Sequence, residues 1–166
     1  MEGTIYEKLS KARQQVIREI QSLNNEKLNA KPAPDEWSIA QICYHLVLVE
    51  LATIKAIKAG LKKESKGKPE RKDVSTTLDR SEKIKAPRAV QPDDRNFELH
   101  ELLDSFANSR NQLIWTLQGI EDKSVLKEKS LHHPGFGELA LDQWVELIPY
   151  HELRHLEQIR EVREKI

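Results

Sequence analysis

The stretch Tyr150-His151-Glu152-Leu153-Arg154-His155-Leu156 decides the predicted fold, because it places two histidines on one face of a helix. Residues four apart on an α-helix lie one turn apart, so both imidazoles can reach one metal ion. Both histidines belong to an inward stripe made of Trp144, Ile148, His151, His155, Ile159 and Val162. A buried imidazole on such an apolar stripe needs a polar partner, and two at this spacing favour a metal site.

Two more helices are predicted in the first part of the chain. Apolar residues of the first recur at steps of three and four, as in an amphipathic helix, namely Ile5, Leu9, Ala12, Val16, Ile20 and Leu23. Asn24-Asn25 and the stretch Lys31-Pro32-Ala33-Pro34 end that helix. Ser38 and Gln41 then fit a capping box that opens the second helix, and we expect that helix to end at Gly60.

A long polar segment, residues 62–95, separates the second helix from the third. Connections of this length are uncommon unless they are functional or cross over, so we expect a solvated crossover, with a lid over a site as the alternative. The third helix is predicted from near residue 96 to Gly119, and the fourth from near residue 141 to near residue 163. Residues 132–137 indicate a turn-rich loop, and no segment predicts a strand.

These features predict an all-α fold, a four-helix bundle with a long crossover connection between helices 2 and 3, in one domain over residues 1–166. Side chains from facing helices of such a bundle can hold a metal in its core. His45 lies on the mainly apolar face of the second helix and could meet His151 and His155 at the axis. Three histidines with an open fourth position are the pattern of a catalytic divalent-metal site.

Glu152 completes the pattern His-Glu-x-x-His, which is the signature of zinc proteases. Those enzymes need a third ligand, commonly downstream of the motif, and no histidine follows His155. No sheet edge is predicted that could hold a peptide substrate, so we disfavour a protease. Glu152 lies one step round the helix from His151, roughly 100° away. We interpret it as a surface carboxylate or a partner of the metal ligands, with a catalytic role as the alternative.

The remaining candidate groups are assigned structural roles. Cys43 is interpreted as a small buried side chain. Because it is the only cysteine, an internal disulfide is excluded, which is compatible with a reducing cytoplasm. His100 is expected to be exposed. His132 and His133 come just before Pro-Gly-Phe-Gly and the predicted metal helix. Packing of the loop is favoured for both, and contact with a substrate is the alternative.

Composition narrows the classes of function. Lys+Arg and Asp+Glu each number 27, so the chain has no net charge and lacks the basic surface typical of nucleic-acid binders. The first residues have neither the basic start nor the apolar core of a secretory signal, and no apolar run is judged long enough to span a bilayer. We therefore expect a cytoplasmic protein without nucleic-acid or membrane partners.

Several stretches together match the motifs of a known family. They are Glu36-Trp37-Ser38-Ile39-Ala40-Gln41-Ile42 leading to His45, then His133-Pro134-Gly135-Phe136-Gly137-Glu138-Leu139, then Trp144, and then His151-Glu152-Leu153-Arg154-His155-Leu156-Glu157-Gln158-Ile159. The sequence resembles the DinB superfamily over nearly its whole length, particularly the DinB-like and YfiT-like metal-dependent hydrolases. Residues 62–95 resemble it least.

The resemblance implies a four-helix bundle, often a dimer, in which three histidines hold a divalent metal; the matching positions are His45, His151 and His155. Characterised relatives transfer low-molecular-weight thiols, such as bacillithiol or mycothiol, to electrophilic small molecules. We therefore expect an enzyme that transfers a thiol through a metal-bound thiolate. A hydrolase that uses metal-bound hydroxide and a non-catalytic bundle that binds a metal or small ligand remain open. Three imidazoles suit zinc or nickel best, with cobalt, iron and manganese as alternatives.

Overall fold

Six helices and two short strands make up the computed structural model, which describes residues 2–166 and the side chains of residues 4–166. In chain order the helices are α1 (Glu2–Ile20), α2 (Asn25–Asn29), α3 (Ile39–Lys62), α4 (Leu99–Gln118), α5 (Val125–Glu128) and α6 (Leu141–Lys165). Strands β1 (Ser130–His133) and β2 (Gly137–Ala140) lie between α5 and α6. The long helices form the bundle, with α1 packed on α6, α6 on α3 and α3 on α4. The predicted four-helix bundle is confirmed.

The start of α3 follows the predicted capping box. The Ser38 hydroxyl accepts a hydrogen bond from the backbone N–H of Gln41 at 3.1 Å, and the Gln41 side-chain oxygen accepts one from the N–H of Ser38 at 3.0 Å. The predicted end at Gly60 is wrong, because the helix continues to Lys62. Gly60 instead lies where α6 begins, since a Cβ there would come within 2.5 Å of Leu141. The absence of a side chain lets these two helices pack closely.

A polar layer crosses the bundle and divides its apolar core into two clusters. The cluster on one side includes Val16, Val47 and Leu156, and the cluster on the other includes Leu9, Ile54 and Ile148. In each of the helices α1, α3 and α6, charged or imidazole side chains lie between the residues of one cluster and the residues of the other. The buried members of the layer are Arg13, His45, Glu50, Ser109 and Glu152.

The long connection between α3 and α4 is mostly exposed, as expected of a solvated crossover, and only Val74 and Phe97 in it are buried. It contains two 3₁₀ turns, Val74–Leu78 and Arg88–Val90, of which the first packs on α6 and the second on α3. The guanidinium of Arg154 on α6 donates hydrogen bonds to the carbonyls of Thr77 and Glu82 in this connection. We refer to residues 63–98 as the crossover segment.

The prediction that no strand is present is wrong for residues 130–140. Strands β1 and β2 pair antiparallel as a hairpin, with Ser130 opposite Ala140 and His133 opposite Gly137. Gly137 has a φ of +70°, a conformation that glycine adopts without strain, at the point where the turn enters β2. Each strand has four residues, too few for alternation to stand out in a sequence.

The sequence-based judgement that no apolar run could span a bilayer also needs correction. Helix α3 has 24 residues, and its most apolar window has a mean hydropathy of 1.4, so by length and composition it could cross a membrane. In the bundle, 67% of that window is buried against the other elements. Such burial is typical of a core helix.

Candidate metal centre

The structure brings His45, His151 and His155 together through their Nε2 atoms. The Nε2 atom of His151 lies 3.3 Å from that of His45 and 3.1 Å from that of His155. Their candidate ligand atoms all lie within 4.8 Å of one another. The pair on α6 results from the spacing of one helical turn, and His45 reaches it because α3 packs directly on α6.

The ring of His45 is held by the crossover segment. Its Nδ1 atom lies 2.7 Å from the carbonyl oxygen of Val90, so Nδ1 carries the proton and donates it to that carbonyl. Trp37, just before α3, packs against the same ring with its centroid 5.1 Å away. These two contacts leave the Nε2 lone pair of His45 directed at the other histidines.

The ring of His155 is oriented in the same way. Its Nδ1 atom lies 2.7 Å from the side-chain oxygen of Gln158, which can only accept, so Nδ1 is the protonated nitrogen. The lone pair on its Nε2 atom therefore also faces His151. Histidines that bind metals commonly donate the other ring N–H to a carbonyl or carboxylate, which determines the tautomer and the ring orientation.

The three rings fit a divalent cation better than they fit one another. Nε2 of His151 can donate one proton to either neighbour, which leaves the other neighbour's lone pair facing it without a hydrogen bond. A cation at the centre would satisfy all three lone pairs at once. Tetrahedral coordination with metal–nitrogen distances of about 2.0–2.1 Å separates the nitrogens by about 3.3 Å, close to the distances from His151 to His45 and to His155. Three ligands would leave a fourth position open.

Burial keeps all three imidazoles neutral, which is the form that binds metals. Burial lowers the pKa of His45, although its hydrogen bond to Val90 acts in the opposite direction. Burial, with a smaller effect of His45, lowers the pKa of His155 to about 3. The pKa of His151 lies well below its ordinary value because of burial and then of its two histidine neighbours. At neutral pH, protons therefore compete little with a metal for these nitrogens.

Glu152 lies inside the bundle, so the interpretation of a surface carboxylate is wrong. Its side chain is 2% exposed, and its Oε1 atom accepts hydrogen bonds from Arg13 at 2.7 Å and Arg110 at 2.6 Å. Glu50 accepts from the same two guanidinium groups and from the hydroxyl of Ser109. Arg13, Glu50, Arg110 and Glu152 each come from a different long helix, and we call them the buried ion network.

The two carboxylates of the buried ion network differ in their environment. Burial raises the pKa of Glu50, but Arg13 and Arg110 together lower that pKa by a larger amount, so the net shift is downward. For Glu152, burial outweighs the same two arginines and the pKa is raised. Its Oε2 atom is buried and has no hydrogen-bond partner among the described residues. Glu152 is thus engaged by arginines rather than directed at the histidines.

The other candidate residues lie outside the histidine group. Cys43 is fully buried, and burial raises the pKa of its thiol to about 12, as expected of a structural side chain. His100 is exposed, with its side chain 75% accessible. His132 is exposed on the hairpin, whereas His133 is half-buried, with its ring 4.6 Å from that of Trp144.

Sequence reasoning missed the partners that orient the histidines and the buried ion network. The Val90 carbonyl gives no signal in the sequence, because any residue has one. A signal for the network did exist, since Arg13 lies between Leu9 and Val16 on the apolar stripe of α1. A charged residue at an inward position predicts a buried partner of opposite charge.

Comparisons with known proteins agree with this architecture. The sequence-family model of the DinB superfamily matches residues 8–159. Uncharacterized protein YuaE of Bacillus subtilis is 32% identical over 157 residues, covering 95% of this chain and 96% of that protein. The four-helix bundle protein TT2238 has a similar structure, with a TM-score of 0.65 and 17% identity, covering 97% of this chain and 99% of that one. YfiT from Bacillus subtilis, described as a probable metal-dependent hydrolase, has a TM-score of 0.61 and 15% identity, covering 98% and 85%.

Proposed function

The chain belongs to the DinB superfamily, and on that premise we propose that it is a divalent-metal-dependent enzyme whose ligands are His45, His151 and His155. The observation that carries the proposal is the arrangement of the Nε2 atoms, which are 3.1 and 3.3 Å apart while the outer nitrogens of two rings are engaged elsewhere. Zinc or nickel suits three imidazoles best.

The preferred reaction is transfer of a low-molecular-weight thiol to an electrophilic small molecule. A divalent ion lowers the pKa of a thiol that it binds, so the thiol is a thiolate at neutral pH. The chain's part is to present three neutral imidazoles and to hold their rings through Val90 and Gln158. No carboxylate belongs to the histidine group among the described residues, and the nearby Glu152 is held by Arg13 and Arg110. A thiolate needs no general base, so this composition favours thiol transfer over a hydrolase of the zinc-protease type, which uses a glutamate as its base.

A hydrolase is the second candidate, and the description of YfiT as a probable metal-dependent hydrolase favours it. Three histidines with an open position also suit activation of water, as they do in carbonic anhydrase. The likeness to YfiT, at 15% identity, concerns the fold, so the reaction has to be determined on this chain.

A conjugation assay separates these functions. Metal-loaded protein is supplied with an electrophile such as monochlorobimane, with and without glutathione or bacillithiol, and the His155→Ala variant is compared with His100→Ala. Thiol transfer predicts enzyme-dependent product only with thiol and metal together, full activity in His100→Ala and loss in His155→Ala. Metal-dependent turnover of ester or amide substrates without any thiol would instead establish the hydrolase. If neither activity is found, the remaining candidate is a non-catalytic metal-binding bundle.

The proposal also includes the setting of the enzyme. From the family we propose a homodimer located in the cytoplasm. Light scattering at several protein concentrations measures the oligomeric state, and a mass of twice 19.2 kDa is expected.

A further inference from the structure

The hairpin that the sequence did not predict places His133 against the first part of α6, the helix that carries His151 and His155. His133 ends β1, and its ring packs between Trp144, 4.6 Å away, and Phe136, 5.5 Å away, measured between centroids. Trp144 lies on α6 seven residues before His151, which is roughly 10 Å along the helix. His133 is also close enough to His151 to contribute, after stronger influences, to lowering its pKa.

The tautomer of His133 follows from its backbone contact. The N–H of Gly135 donates to Nδ1 of His133 at 2.9 Å, so Nδ1 carries the lone pair and Nε2 carries the proton. Burial, with a smaller effect of His132, lowers the pKa of His133 to about 4, which keeps this neutral form at physiological pH. His133 is therefore an uncharged hydrogen-bond donor.

The donor on His133 is free for a ligand. Among the described residues, its Nε2 atom has no hydrogen-bond partner, and it is not one of the buried atoms that lack one. It is therefore accessible to solvent. His133 thus offers an N–H group held between two aromatic rings, one of which, Trp144, lies about two helical turns before His151 on the same helix.

We propose that Nε2–H of His133 binds a carbonyl or amide oxygen of the thiol substrate, while the sulfur of that substrate occupies the open position at the histidine group. This inference rests on the proposed function and adds a specificity-determining residue to it. The donor is uncharged and lies on aromatic rings, which favours an amide oxygen over a phosphate, because a phosphate is bound best by charged groups. The preferred substrate is thus a thiol with an amide a few bonds from its sulfur.

Calorimetric titration of zinc-loaded protein with two probes tests the inference. N-acetylcysteamine carries an amide, and 2-mercaptoethanol carries a thiol without a carbonyl. We expect His133→Phe, which keeps an aromatic ring but has no donor, to weaken binding of N-acetylcysteamine about five- to tenfold and to leave 2-mercaptoethanol within about twofold. His133→Gln, which keeps an N–H donor, should recover part of the loss. His132→Phe on the exposed side of the same strand is the matched control and should change neither affinity.

The outcomes separate this inference from the proposed function. Equal weakening of both probes by His133→Phe, or no weakening of either, overturns the role of His133 while leaving the metal site intact. Equal affinity of the wild-type protein for both thiols also overturns the role of His133. A protein that binds no zinc, or that binds zinc but neither thiol, overturns the proposed function and this inference with it.

Discussion

The imidazole of His45 and the backbone carbonyl of Val90 lie 2.7 Å apart, which links a core helix to the crossover segment. Through this hydrogen bond the long connection orients one of the three proposed ligands. The crossover segment is in turn attached to α6 by Arg154, on the same helix as the other two histidines. The connection between the second and third bundle helices is therefore part of the structure that supports the site.

Gln158 should matter for metal affinity although it cannot reach the metal itself. Replacing it by leucine removes the acceptor that holds Nδ1–H of His155. Loss of such an outer partner commonly weakens metal binding about 10- to 100-fold. We expect a change of this size for Gln158→Leu and a smaller one for Gln158→Glu, which keeps an acceptor. Competition with a chromogenic zinc chelator measures the affinity, and equal affinities of Gln158→Leu and wild type would contradict the role of Gln158.

The metal-free protein should lose stability on mild acidification. The pKa values of His45, His151 and His155 are lowered in the folded state, whereas unfolded histidines titrate at about 6.5. Below that pH the unfolded chain binds more protons, so the free energy of unfolding falls as pH falls toward the folded pKa values. Between pH 7 and 5.5 the loss should be on the order of 1 kcal/mol for His155, whose folded pKa is about 3, and His45 and His151 should add to it in the same direction.

Urea denaturation in the presence of a chelator measures this pH dependence. His155→Phe should reduce the slope by removing one titrating group, while the exposed His100→Phe should leave it unchanged. A free energy of unfolding that stays level from pH 7 to 5.5 would show that these histidines are not buried in their neutral form.

Glu152→Gln should affect folding more than chemistry. The substitution leaves Arg13 and Arg110 with one carboxylate instead of two inside the bundle. Removing one partner from a buried ion pair typically costs about 3–5 kcal/mol, because a charge remains buried and uncompensated. The folded, metal-loaded fraction should keep activity within about tenfold of wild type, since loss of a general base costs about 10²–10⁴-fold.

Denaturation and activity per bound metal together test this assignment of Glu152. Glu157→Gln on the exposed face of the same helix is the matched control and should change neither property. Unchanged stability combined with a loss of activity well beyond tenfold at full metal content would restore Glu152 as a catalytic base.

Periodicity was enough to predict the bundle and to select its proposed ligands. His151 and His155 are on one apolar stripe, and His45 on another, and packing of two such stripes brings them together. The hairpin at residues 130–140 could not be predicted in this way, because its strands are short and its stability comes from packing against the bundle. One such contact is the hydrogen bond that the indole N–H of Trp144 donates to the carbonyl of Leu131. That missed hairpin positions His133.

The buried ion network shows a different limit of sequence reasoning. The angle of Glu152 to the histidine stripe predicts that its side chain points away from His151, but it does not predict which residues surround that side chain. Its partners Arg13 and Arg110 lie on helices that are distant in sequence, 139 and 42 residues away. Their convergence depends on the order of the helices around the bundle, which periodicity within one helix does not determine.

A zinc-loaded crystal structure with anomalous data at the zinc edge tests the central claim most directly. The account predicts one anomalous peak at the centre of His45, His151 and His155, about 2.0–2.1 Å from each Nε2 atom, with non-protein density in the fourth position. Zinc-soaked crystals of the His151→Ala variant should show no peak at this position. A wild-type structure without zinc between these three nitrogens, or with zinc bound only at exposed groups such as His100 or His132, would contradict the account.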